Sequence, residues 1–303
     1  MRVTVTGATG LIGSELVGAL TARGDAVTVL TRDPAGARAR LGGGVEAVAW
    51  DPASGPAPSA ALEGRDGVVH LAGEPVAQRW SDAAKRRIRD SRELGTANLV
   101  AGIATAEPRP SVLVSASAVG YYGPRGDERV DETTPPGSDF LAQVCVAWER
   151  AATAAEQHGL RVALVRTGVV LDARGGALAK MLPPFKLGAG GPVAGGRQWM
   201  PWIALDDLVG LYLAALDGGP EWRGPLNGSA PEPVTNADFS KALGRALHRP
   251  AVAPVPRLAL KLLYGEMEQI VTTGQRAVPA RPLALGHAYR HPRLDEALRV
   301  ALG

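Results

Sequence analysis

Two stretches of the chain carry residue types that can do chemistry. Residues 115–123 read S-A-S-A-V-G-Y-Y-G. The hydroxyls of Ser115 and Ser117 can hydrogen-bond a reacting oxygen, and the phenol of Tyr121 or Tyr122 can hand it a proton. An ordinary phenol, with a pKa of about 10, is a proton donor at neutral pH but a poor base. Residues 3–13 read V-T-V-T-G-A-T-G-L-I-G, with Gly7, Gly10 and Gly13 at a spacing of three. Gly7 permits a tight turn, Gly10 lets backbone approach a pyrophosphate, and Gly13 lets a helix pack closely on a strand. The free N–H groups of the helix start, around Thr9, Leu11 and Ile12, suit an anion. Arg32 follows the second apolar run, A-V-T-V-L at 26–30. In a dinucleotide fold that position meets the adenosine ribose, where an acidic residue bonds the 2′-hydroxyl and an Arg suits a 2′-phosphate. Arg32 therefore favours NADP(H) over NAD(H), the alternative being a solvated surface Arg.

These residues need a scaffold, and the periodicities supply one. The β-branched run Val3–Thr6 reads as a buried strand, and Leu11, Ile12, Leu16, Val17 and Leu20 recur at helical period up to Gly24. Further strands are expected at 26–30, 46–50, 67–71, 111–115 and 161–166, with a short one at 225–227. The fourth ends in Leu71-Ala72-Gly73, a turn at a strand's carboxyl end, where such sheets bind ligands, and Ser115 at the end of the next strand is expected at the cofactor as well. His70 just before it is either a cofactor contact or a hydrogen-bonded structural residue. Helices are expected at 81–105, 139–158, 236–247, 258–264 and 294–302. Another, ending near Leu216, would be N-capped by Asp206 or Asp207. Arg86, Arg87, Arg89 and Arg92 on the first of these read as a solvated face. Gly175-Gly176, Pro183-Pro184 and residues 188–192 mark loops. The alternation predicts an α/β fold with a doubly wound parallel sheet and right-handed crossovers. Residues 195–203, G-G-R-Q-W-M-P-W-I, are the densest polar-aromatic stretch. There Arg197 suits an anionic substrate, and Gln198, Trp199 and Trp202 either line a pocket or bury their rings between domains.

Composition narrows the function classes. With 33 basic and 30 acidic residues in 303, the net charge is +3, and no basic run is interleaved with aromatics. Nucleic acid is thus not expected as a partner; a small-molecule substrate is. Cys145 is the single cysteine, which excludes an intrachain disulfide and fits a reducing cytoplasm. The chain reads straight into a strand, so no signal peptide is expected, and no apolar run is long enough for a membrane span. No His/Cys/Asp spacing fits a metal, and no G-x-x-x-x-G-K-S/T loop occurs.

G-A-T-G-L-I-G, H-L-A-G, S-A-S-A-V-G-Y-Y-G and W-I-A-L-D-D-L, in this order, resemble the extended short-chain dehydrogenase/reductase superfamily. With F-L-A-Q-V-C-V-A-W-E, R-T-G-V-V-L, G-G-R-Q-W-M-P-W-I and R-A-V-P-A-R-P-L, the whole chain resembles its "epimerase-family protein" branch. The resemblance implies a seven-stranded Rossmann sheet binding NAD or NADP in residues 1–170, with 203–248 returning to it. A smaller C-terminal substrate domain would comprise 171–202 and 249–303. It also implies a catalytic Ser, matched by Ser117, and a Tyr with a Lys four residues later, the Tyr moving the proton and the Lys holding the nicotinamide ribose. Those last two positions hold Leu141 and Cys145, in a register supported by Glu149, and none of the five tyrosines has Lys four residues on. A thiol in an apolar helix is inert packing more often than an acid. The expectation is an NADP-dependent oxidoreductase or epimerase-like protein acting on a small carbonyl or sugar-type substrate. Its acid would be displaced to Tyr121 or Tyr122. The alternative is an NADP-binding sensor or scaffold with little or no turnover. Relatives pair through helices equivalent to 81–105 and 139–158, so the chain is expected to be a monomer or homodimer.

Overall fold

The first strand is buried from Val3 to Thr6, a run of Val and Thr with no charged side chain. The computed structural model describes residues 1–303, except for the side chains of Ala259 and Leu263. In order the first half runs β1 (Arg2–Thr6), α1 (Leu11–Ala22), β2 (Ala26–Thr31), α2 (Pro34–Leu41), β3 (Val45–Ala49), β4 (Gly67–His70), α3 (Asp82–Thr105), β5 (Val112–Ala118), β6 (Arg129–Val130) and α4 (Phe140–Thr153). There follow β7 (Arg161–Thr167), β8 (Val169–Leu171), α5 (Gly176–Lys186), β9 (Trp199–Met200), β10 (Trp202–Ala204), α6 (Leu205–Asp217), β11 (Gly224–Gly228), β12 (Val234–Thr235) and α7 (Asn236–Ala246). After α7 come α8 (Arg257–Tyr264), α9 (Gln269–Thr272), β13 (Arg276–Ala277), α10 (Ala280–Ala284) and α11 (Leu294–Leu302).

Seven strands form one sheet in the order β11-β7-β5-β4-β1-β2-β3, every neighbour parallel. The order reverses between β1 and β4, the position where a doubly wound sheet opens a crevice at its carboxyl edge. Alternation along β5 sorts its side chains. Val112 and Val114 join the layer of α1 and α6, while Leu113 joins that of α3 and α4. Ser115 and Ser117 follow Leu113 on the α3/α4 face.

A second apolar cluster lies off the sheet, built from Leu171, Leu178, Leu182, Phe185, Trp202, Phe239, Leu243 and Leu298. It takes in α7, which was expected to return to the sheet together with α6 and β11. Helix α5 was expected as a loop because of its prolines. Pro183 and Pro184 instead occupy its last turns. Helix α2 was not anticipated in an Ala/Gly/Pro-rich stretch. Its signal is local: Asp33 accepts the Gly36 N–H at 2.9 Å and proline stands in the first turn. Strand β5 runs three residues past its expected end, so Ser117 sits inside it. Asp206 and Asp207 are not N-caps but first-turn residues. Asp207 accepts the N–H groups of Arg290 and His291 at 2.6 and 3.0 Å, and Asp206 meets the His291 ring at 2.8 Å. They fasten the chain before α11 to the start of α6.

His70 resolves as structural. It is fully buried, with Thr6 Oγ1 2.7 Å from Nδ1 and Thr96 Oγ1 3.0 Å from Nε2. Thr6 Oγ1 also accepts the N–H groups of Leu71 and Ala72, at 3.2 Å each. Both its lone pairs are then used, so its hydrogen goes to Nδ1 and the imidazole hydrogen points to Thr96. This ties β1, β4 and α3 under the turn at Leu71–Gly73. Burial lowers the His70 pKa to about 4. The unfolded chain therefore takes up a proton near pH 6.5 that the folded chain refuses until about pH 4. Stability should fall as pH drops through that window, by on the order of 3 kcal/mol in all. Urea titrations of wild type and His70→Gln at pH 7.5 and 4.5 check it. The wild type loses the additional stability and the variant does not; equal losses would contradict the assignment.

Candidate active site

The cradle at the carboxyl edge starts from Gly7. Its φ of +66° is left-handed, and a Cβ there would stand 2.6 Å from the Leu71 carbonyl carbon. Only glycine lets the first turn lie against Leu71-Ala72. A Cβ on Gly13 would meet the Gly7 carbonyl oxygen at 2.3 Å, so helix α1 seats directly on the turn. Gly10 opens α1 in extended conformation with no side-chain cap. The first N–H groups of the helix, those of Leu11, Ile12 and Gly13, are therefore left for an outside acceptor. Thr9 is half-buried within the turn, and Gly10 is exposed. At the end of β2, Arg32 is exposed and has no ion pair or side-chain hydrogen bond among the described residues. Its neighbour Asp33 is occupied capping α2. Helix N–H groups with no side-chain acceptor, a turn with no room for a Cβ at Gly7 or Gly13, and an unpaired guanidinium fit a dinucleotide carrying a 2′-phosphate. Ser115, expected at the cofactor, does not join this surface. It is fully buried, and its hydroxyl points to the Ala116 carbonyl at 3.2 Å.

A buried polar network stands next to the cradle, at the ends of β5 and β7. Arg166 grips Glu149 through Nε and Nη2, each 2.8 Å from its own carboxylate oxygen. Ser117 Oγ donates to Glu149 Oε1 at 2.7 Å. Arg166 Nη1 donates to the Tyr122 hydroxyl at 3.0 Å, and that hydroxyl donates to Asn227 Oδ1 at 2.7 Å. Asn227 in turn donates through its backbone N–H to Glu132 at 2.8 Å and through Nδ2 to the Val278 carbonyl at 2.9 Å. Glu132 also accepts the Arg281 N–H at 3.1 Å. Burial by itself would lower the Arg166 pKa; the hydrogen bonds and charge of Glu149 outweigh it, and the net shift is upward. Burial raises Glu132 as well.

The network decides which hydroxyls are free. Tyr122 was a candidate acid, yet it is fully buried, both of its hydrogen-bonding functions are taken, and burial pushes its pKa to about 12. It is a structural strut. Tyr121 is half-buried, with the Arg166 guanidinium 3.5 Å from its ring centroid, and its hydroxyl has no partner among the described residues. Ser117 spends its hydrogen on Glu149, leaving lone pairs only. The Leu141–Cys145 face of α4 packs on the turn after β5, with Leu141 Cβ at 3.4 Å and the Cys145 sulfur at 3.9 Å from where a Cβ on Gly120 would be. Burial raises the Cys145 thiol to about 12, so it stays protonated.

The expected substrate residues separate in the same way. Trp202 is fully buried in the second cluster, with its indole N–H on the Glu232 carbonyl at 3.0 Å; it does not line an open pocket. Gln198 Nε2 bonds the carbonyls of Val193 and Val271, which fixes loop to loop. Trp199 donates to Asp127 at 2.9 Å beneath the Arg276 guanidinium. Arg197 is exposed, without a partner among the described residues. Sequence reasoning missed Arg166, Glu132 and Asn227 and used Glu149 only to fix a register. One signal was available: Arg166 closes the otherwise apolar strand V-A-L-V-R, and Glu149 shares a helix face with Cys145 and Ala152.

Removing one member of a buried pair leaves the other charge uncompensated. Glu149→Ala should therefore destabilise the fold by about 3–5 kcal/mol. The double variant Glu149→Leu/Arg166→Met should cost clearly less than the two single changes added together. Urea midpoints of the full cycle measure the coupling; strict additivity would mean that the pair is not coupled.

Residues 3–223 match the model of the NAD dependent epimerase/dehydratase family, and residues 255–301 match a domain of unknown function. Epimerase family protein SDR39U1 homolog, chloroplastic, of Arabidopsis thaliana is 43% identical over 311 residues, covering 100% of this chain and 87% of the relative. The crystal structure of human epimerase family protein SDR39U1 (isoform 2) with NADPH superposes with a TM-score of 0.88 at 36% identity over 100% of both chains. That of a nucleoside-diphosphate sugar epimerase from Corynebacterium glutamicum gives 0.79 at 37% identity, over 100% of this chain and 58% of the other. With a Rossmann sheet, a glycine cradle and these matches, the chain belongs to the NAD-dependent epimerase/dehydratase family, alongside the SDR39U1-like epimerase family proteins.

Proposed function

We propose that the chain binds NADP(H) and acts as an oxidoreductase or epimerase-like enzyme on a small carbonyl or sugar-type substrate. The observation that carries the cofactor reading is the uncapped start of α1, with Gly7 and Gly13 leaving no room for a Cβ, together with the unpaired Arg32 at the end of the neighbouring strand. The NADPH in the human relative's structure supports it, and the sugar-nucleotide name of the Corynebacterium relative supports the substrate class. The bound cofactor supplies a hydride acceptor or donor at its nicotinamide. The protein must then manage one proton at the substrate oxygen. Tyr121 is assigned that task, because its hydroxyl is free while the Arg166 guanidinium fixes its ring. Ser117, buried and held by Glu149, offers only lone pairs, which suit a hydroxyl of the substrate and not its carbonyl oxygen. A Tyr121 hydroxyl that hands its proton to the substrate oxygen serves the direction of carbonyl reduction.

A second reading, NADP(H) binding with little or no turnover, is favoured by one observation. The helix face where the resemblance puts the proton-moving pair carries Leu141 and a thiol pushed up to about 12. An NADPH-consumption screen over small carbonyl and sugar-type compounds separates the two. If no compound is reduced by correctly folded, NADPH-saturated protein, the second reading stands.

Two outcomes are expected. Calorimetry should show NADPH binding more tightly than NADH, and Arg32→Asp should weaken NADPH by about tenfold, or about 1.4 kcal/mol; an unchanged preference would remove Arg32 from the site. Once a substrate is found, Tyr121→Phe should lower kcat by about a hundredfold or more, whereas Cys145→Ala should leave kcat and NADPH affinity near wild type. A fully active Tyr121→Phe would reject the assigned acid.

A further inference from the structure

The Arg run on α3 is not uniformly solvated. Arg86, Arg87 and Arg89 are exposed, but Arg92 turns inward. Its Nη1 donates to the Glu74 carbonyl at 2.9 Å and the Ile88 carbonyl at 3.2 Å. Its guanidinium lies 4.9 Å from the Trp148 ring centroid, and its Cζ would be 3.2 Å from a Cβ on Gly73. Among the described residues no carboxylate comes within ion-pair distance of it. The neighbouring Glu74 pairs with Arg87, and Glu149 pairs with Arg166. Nε and Nη2 have no partner among the described residues and are not sealed from solvent. A half-buried cation is thus held rigidly by one nitrogen, with its other donors unspent.

Its place in the sheet gives those donors a direction. Gly7 and Arg32 assign the pyrophosphate and the adenosine half to the ends of β1 and β2, so the nicotinamide half crosses the ends of β4 and β5. Gly73 follows β4, and Trp148 lies one turn beyond Cys145 on the same face of α4. Arg92 therefore presents its fork from α3 toward the point where Cys145 leaves the α4 face without a cation. The geometry points to Arg92 as a cofactor-binding residue that donates through Nε and Nη2 to the nicotinamide-ribose hydroxyls of NADP(H). This rests on the NADP(H) reading above. The flat face of Gly73 is what admits the guanidinium, since a side chain there would displace it.

Binding of NADPH and of adenosine 2′,5′-bisphosphate, which carries only the adenine half, tests this by calorimetry on the full chain. Arg92→Met should weaken NADPH by about tenfold or more while leaving the bisphosphate unchanged. Arg92→Lys, which keeps the charge but loses the fork, should fall between. Thermal unfolding confirms that each variant is folded. Unchanged NADPH affinity in a folded Arg92→Met would overturn the proposal. Equal weakening of both ligands, or loss of the fold in both variants, would overturn it too, because the role would then be structural. If wild type binds neither ligand, the cofactor reading itself has failed; if it binds both and only the Arg92 comparison fails, that reading survives.

Discussion

The Arg166–Glu149 pair is the constraint on which the rest of the site depends. Taking a guanidinium and a carboxylate out of water costs several kcal/mol per ion unless the geometry is excellent and the remaining donors are satisfied. Both conditions are met here. The pair is bidentate at 2.8 Å, and Arg166 spends Nη1 on Tyr122. Each partner comes from a different element, Glu149 from α4 and Arg166 from β7, and Ser117 joins them from β5. The pair therefore fixes the layer of helices to the carboxyl edge of the sheet. Once Arg166 is fixed, the ring of Tyr121 beneath it is fixed as well.

The same network reaches out of the sheet. Tyr122, Asn227 and Glu132 connect it to Val278 and Arg281, and Ser229 donates to the Ala277 carbonyl at 3.3 Å. Strand β13 pairs with β6 alongside, and Trp199 meets Asp127 under Arg276. The segment after α9 is thus joined to the loop after β5 mainly by hydrogen bonds and stacking, around a small apolar cluster of Val119, Tyr122, Val130 and Ala277. A separate, larger cluster holds α5, α7 and α11 together. The division of labour is physical. Hydrophobic burial builds the apolar clusters, and directional polar contacts fix the loops over the carboxyl edge of the sheet.

Most of the fold was legible in the sequence because it rests on local signals: β-branched runs for the strands, period for α1, α3 and α4, and glycine spacing for the cradle. The failures have equally local causes. Pro183 and Pro184 were read as breakers, but α5 runs through both to Lys186 without their two N–H donors. The end of β5 was placed too early because Ser and Ala carry little strand propensity; only pairing with β7 extends it. Residues 115–123 were singled out, but which of their hydroxyls is free was not legible. Whether Tyr121 or Tyr122 has a free hydroxyl depends on Arg166 and Asn227, which lie 44 and 105 residues from Tyr122. Trp202 looked like a pocket residue because an indole in a polar-aromatic stretch suits either role, and only the packing of Phe239 and its neighbours shows it to be core. Arg92 was taken for part of a solvated face because a charge run gives no hint that one member finds an indole to stack on.

The free hydroxyl after β5, and not a group on α4, is proposed to face the reacting centre. A crystal structure of the chain with NADPH measures this directly. The account predicts the nicotinamide C4 over the ends of β4 and β5, with the Tyr121 hydroxyl close enough to reach a substrate oxygen beside it directly or through one water, and Tyr122 still bonded to Asn227 and Arg166. A nicotinamide ring placed elsewhere, or a Tyr121 hydroxyl turned away from C4 with more than one water between, would contradict it.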